Sequence, residues 1–182
     1  MPQPMSAASQ QSAASLGFLT VVENEELGLL GGYLLLNAAG RPLEFHCTAP
    51  VKPTRTQEIL YGVALRPYLY GELIGQTLLA KSKLSPLVVC TDSEPILAAR
   101  DLTHIPLALI QSASEASERQ PPTFFPFALG RNRVVTAPHY VSDAEAIRQN
   151  WPPLAEQLDL LEPFERIRAA LAEAQVATRQ AA

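Results

Sequence analysis

The sequence predicts one mixed-sheet domain of the α/β or α+β class, with about five to six strands, flanking helices and a C-terminal helical arm. Three observations carry this. Leucine-rich and aromatic runs alternate with turn residues over positions 16–47. A strand–helix–strand pattern runs from Pro86 to Gln111, and a crossover of that kind favours parallel pairing. From Ser142 onward the apolar residues take up helical spacing. The 182 residues fit one domain, since domains run to roughly 100–200 residues. Hydrophobic residues make up 47% and charged residues 18% of the chain, enough apolar material for a core.

Residues 1–15 are small and polar, with two prolines and no periodicity. They read as a disordered tail, because they cannot bury enough surface to offset the entropy of ordering. The mixed-sheet domain then spans 16–141. Phe18–Val22 reads as a strand and Glu23–Glu26 as a charged turn. Gly32–Leu36 reads as a second strand. A loop with Gly40 placed for positive φ leads into the return strand Pro42–Cys47. In that strand Leu43, Phe45 and Cys47 share one face and Glu44 and His46 the other. The first face is the apolar one, so Cys47 is expected in the core and His46 outside.

Thr54 with Gln57 three residues on has the spacing of a capping box. A longer helix follows from about Arg66, with Pro67 early, where its missing N–H costs little. Gly71 and Gly75 leave a smooth strip on this helix, at about 1 kcal/mol each relative to alanine. Leu87–Cys90 is a short apolar strand of the kind found at a sheet's centre. Thr91 and Glu94 have capping-box spacing before a helix from Pro95 to Leu102, and Ile105–Ile110 is the next strand. Ser112–Pro122 reads as a surface loop. Two further strands flank Gly130, at an edge because of Pro126. The arm, 142–182, begins with a third capping-box pair, Ser142 and Glu145, and breaks at Trp151-Pro152-Pro153. It continues through Phe164, Ile167, Leu171 and Ala174 at seam-like spacing.

Charge and motifs narrow the function. The net charge of -4 with 14 Lys+Arg lacks the clustered basic face of a general nucleic-acid binder. The apolar runs are far shorter than the ~20 residues of a membrane span. No secretory leader pattern is present, and two cysteines make no disulfide framework, so the cytoplasm is the expected compartment. No phosphate-loop, dinucleotide or nucleophile-elbow pattern occurs. His46, His104 and His139 are far apart, without paired spacing, so neither a metal nor a cofactor is expected. Because adjacent strand residues face opposite ways, His46 cannot activate Cys47 in a regular strand.

Two candidate sites remain. Lys52, Arg55, Gln57, Glu58 and Tyr61, with His46 nearby in sequence, form the densest exposed polar constellation, suited to an anion or an acidic partner. Arg131 and Arg133 extend it if their strand lies alongside. Thr91, Asp92 and Ser93 stand at the carboxyl end of a central strand, where open α/β sheets bind ligands. The leading expectation is a non-enzymatic adaptor with a protein partner or self-association, and no nucleic acid or membrane. The second is an enzyme or small-ligand sensor using Thr91–Glu94 and His46.

Overall fold

The computed structural model of the chain describes residues 15–112 and 126–181. The expected tail up to position 14 and the expected loop at 113–122 lie outside those residues. Ser15 belongs to the fold: it is fully buried, and its carbonyl accepts the Leu87 N–H at 2.9 Å.

Among the described residues one sheet holds seven strands, in the order β3-β2-β1-β4-β5-β7-β6. They are β1 Leu16–Asn24, β2 Gly28–Leu36, β3 Pro42–Cys47, β4 Val88–Thr91, β5 Leu107–Gln111, β6 Phe127–Leu129 and β7 Asn132–Thr136. The count is slightly above the five to six expected, and the edge hairpin at Gly130, with φ +57°, supplies the two strands expected beside that glycine. β1, β2 and β3 form an antiparallel meander, while β1, β4 and β5 run parallel. The mixed α/β class expected from the sequence is therefore the one observed.

Among the described residues four helices other than the 3-10 turns flank the sheet. α1 is Arg55–Tyr61, closed at its start by the expected Thr54–Gln57 box. α2 covers 65–81 without a break, as an α-turn Leu65–Pro67, a π-helical stretch Tyr68–Gly75 and an α-helical stretch Gln76–Lys81. α3 is Val141–Asn150 and α4 is Glu162–Ala181. Between β4 and β5 the helix is of the 3-10 type, Glu94–Leu102.

Alternation in the central strands sorts the core into two halves. Leu16, Phe18, Leu34 and Cys90 point to the side covered by α3 and α4. Leu19, Tyr33, Leu35 and Val89 point to the side covered by α2 and the 3-10 helix. The C-terminal arm docks on its own domain: Phe164, Ile167 and Leu171 are buried, and the Phe164 ring meets Phe18 edge-on at 5.7 Å. Gly31 and Gly32 of β2 make room on opposite sides. A Cβ on the first would collide with Ile74 of α2, and one on the second with Ile167 of α4. Gly71 and Gly75 serve the same end, with the backbone of Ala99 2.7 Å from where a Gly71 Cβ would sit. The smooth strip thus seats the 3-10 helix. No helix among the described residues is long and apolar enough to cross a membrane.

β3 departs from the expected inside-out pattern. Glu44 and His46 are the half-buried pair, while Phe45 and Cys47 are exposed. The cause is the turn after α2. Its backbone N–H groups at Lys83 and Leu84 reach Glu44 at 3.0–3.2 Å and cover that face. A bulge near Leu35/Leu36 also shifts the register, so Leu43 does not share the Phe45 face.

Candidate functional site

Strands β1 and β4 lie side by side and parallel, with Leu19 next to Thr91. Where β4 ends, Asp92 therefore lies beside Thr20, midway along β1. The Thr20 hydroxyl donates to Asp92 Oδ1 at 2.7 Å. The other carboxylate oxygen pairs with the guanidinium of Arg168, carried by α4 next to the core residue Ile167. Arg168 also reaches Glu165 at 2.7 Å. The Asp92 side chain is only 14% exposed, whereas Arg168 is 40% exposed. The cation and the hydroxyl that face it offset the cost of holding this carboxylate in so little water.

Thr91 and Ser93 frame this carboxylate without capping the following helix. The Ser93 N–H donates to the Thr91 hydroxyl at 3.2 Å, a local turn that uses up the Thr91 side chain. The expected box with Glu94 does not form; the helix begins at Glu94, after Ser93, with no side-chain cap. The sequence singled out Asp92 as a candidate but not Thr20 or Arg168, which the fold brings to it. The available signals were a threonine amid the apolar run of β1 and an arginine flanking an apolar helical stripe.

His46 does not join them. Two strands separate β3 from β4 in the sheet. His46 faces the α2 side, stacked on Tyr33 at 6.4 Å and bonded through Nε2 to Glu44 at 2.8 Å. Glu44 also accepts the Ser82 hydroxyl at 3.2 Å. Burial alone would push the Glu44 carboxyl up, but these donors together hold it below the usual glutamate range.

The segment Lys52–Tyr61 is exposed, as expected, yet its polar groups largely answer one another. Gln57 closes the capping box, Arg55 pairs with Glu58 at 2.9 Å, and Tyr61 stacks on Tyr68 at 4.3 Å. Arg131 and Arg133 sit on the β6–β7 hairpin at the edge opposite β3, so they do not extend this patch. Cys47 is exposed rather than in the core, and Cys90 is buried, its thiol pushed up to about 12 by desolvation. Among the described residues no three His, Cys, Asp or Glu side chains come together as a metal ion would need.

No protein-family model matches the chain, and no curated protein matches it. Among solved structures it is similar to Endonuclease V from Ciona intestinalis, bound to a 23mer DNA containing an inosine. That likeness has a TM-score of 0.47 at 10% identity and covers 88% of this chain and 86% of that one. It is also similar to the catalytic domain of human Endonuclease V, with a TM-score of 0.45 at 14% identity, covering 100% and 90%. These neighbours correct two expectations. They are nucleases rather than protein adaptors, and one was crystallised on DNA, so neither the adaptor reading nor the exclusion of nucleic acid is retained. No residue role is transferred from them at these scores.

Proposed function

We propose that this chain is an enzyme or sensor that takes a nucleotide, free or within a nucleic-acid strand, at the carboxyl end of β4, beside Thr20 of β1. The observation that supports it is the Asp92–Arg168 pair at the place in the sheet where α/β proteins bind ligands. A nucleotide offers what this pair can recognise. Its phosphate suits the guanidinium, which carries more N–H donors than Asp92 and Glu165 take. Its sugar hydroxyls and base amino groups are donors for the Asp92 carboxylate. The hydroxyl of Ser93 lies at the same strand end. Two thiols without a disulfide suit a reducing compartment, so the cytoplasm remains the proposed location.

Fluorescence anisotropy with labelled single-stranded and duplex oligonucleotides, and calorimetry with mononucleotides, test this. Arg168→Met is expected to weaken binding at least tenfold, in line with losing one charge-assisted contact. Asp92→Asn should shift preference among bases and sugars more than it changes overall affinity. Strand scission in the same tubes marks an enzyme; binding without turnover marks a sensor. A folded Arg168→Met protein that binds as tightly as the parent, or a parent that binds none of these, overturns the reading.

A further inference from the structure

A cavity lies on the other side of the sheet, where β1 and β2 run on past the end of β4. Its volume is about 510 Å³, within the range of small-ligand sites. Leu29, Val51, Pro53 and Leu69 give it an apolar floor. The walls are tied together: Leu29 and Val51 exchange backbone hydrogen bonds at 2.8 Å each way. Gly28, at φ +95°, lets the chain pass so close to Val51 that no side chain would fit.

The rim carries both signs of charge at short range. Glu23 accepts from the Tyr70 hydroxyl and from Arg66 at 3.2 Å. The Arg66 guanidinium lies over the Tyr70 ring, 5.1 Å from its centroid. Burial and then Glu23 raise Tyr70, so its phenol stays a donor toward Glu23. Glu25 adds a second carboxylate at the rim. Arg66 and Glu23 are themselves 64% and 65% exposed, so they are free to turn toward a ligand.

We infer that this cavity binds a small zwitterion with an apolar side chain, of the chemical class of a free α-amino acid. A carboxylate would take the fork of Arg66. An ammonium would sit between Glu23 and Glu25. The side chain would cover Leu29, Val51, Pro53 and Leu69. A plain anion would meet two carboxylates, and a plain amine would leave Arg66 without a partner beyond Glu23. The site is on the opposite face from Asp92 and stands or falls separately from the nucleotide reading.

Calorimetry on the full chain, with L-phenylalanine, L-leucine, phenethylamine and hydrocinnamate as probes, tests the inference. Phenylalanine and leucine are expected to bind at least tenfold tighter than either truncated probe. Arg66→Met should weaken phenylalanine at least tenfold and leave phenethylamine unchanged. Glu23→Gln should weaken phenylalanine as well, with thermal unfolding confirming that Tyr70 still packs. Arg66 is exposed, so its variant folds even if the Glu23 one does not. Absence of phenylalanine binding, equal binding of phenethylamine, or a folded Arg66→Met protein with parental affinity refutes it.

Discussion

At the scale of single residues the chain commits its partly buried charges in pairs. Arg100 makes a two-pronged contact with Asp143, Nε to Oδ2 at 2.7 Å and Nη2 to Oδ1 at 3.1 Å. It also donates to the Thr103 carbonyl at 2.6 Å and lies 3.9 Å from the Tyr140 ring centroid. The contact with Asp143 holds the Arg100 pKa above its ordinary value. Asp143 is 4% exposed, so this pair locks the 3-10 helix to the start of α3 in little water. Removing one partner from such a pair leaves the other charge buried. Asp143→Ala is therefore expected to cost about 3–5 kcal/mol, measured by urea unfolding. Replacing both residues by apolar ones should cost less than the single change. A single-variant loss below about 1 kcal/mol would mean the pair is solvated in solution. The sequence showed Asp143 only as a helix-start residue. Its partner lies 43 positions away, and no local spacing encodes that.

At the scale of elements, periodicity was legible and chemistry at the ends was less so. The strands β1 to β5 follow from apolar runs and turn residues, and the docking face of α4 follows from Phe164, Ile167 and Leu171. Three capping-box spacings were visible, yet only Thr54–Gln57 forms one. Thr91 turns to Ser93 instead, and Ser142 lies inside a helix that has already begun at Val141. A serine or threonine has several nearby backbone partners, and the fold decides among them. For the same reason the faces of β3 were misjudged. Side-chain polarity alone could not foresee that the turn after α2 would offer its N–H groups to Glu44. The glycines of α2 were legible as a contact strip but not as to partner. Gly71→Ala should gain up to about 1 kcal/mol of helix propensity. It should lose about 1–3 kcal/mol by pressing into the Ala99 backbone, so net destabilisation is expected in thermal unfolding. An unchanged or raised melting temperature would show that α2 and the 3-10 helix are free to separate.

At the scale of the whole molecule, the class of fold was within reach of the sequence because hydrophobic patterning sets layers. The Thr20–Asp92–Arg168 grouping was not, because it joins β1, β4 and α4 across the sheet. Acid stability belongs to this scale. Glu44 has a folded pKa below its ordinary 4.5. A depressed carboxyl adds stability that is full above the unfolded value and is lost as pH falls through the folded one. The parent should thus lose stability as pH drops below about 4.5 more steeply than Glu44→Gln. Parallel curves from guanidinium unfolding across that window would rule Glu44 out as a contributor.

The strap formed by α4 has a consequence for how the protein is made. Its helix follows every described strand, yet it shields Phe18 and Leu34 from the first hairpin. During translation that side of the young sheet stays incompletely covered until α4 emerges. Such a surface invites chaperones or neighbouring nascent chains to hold it in the interval.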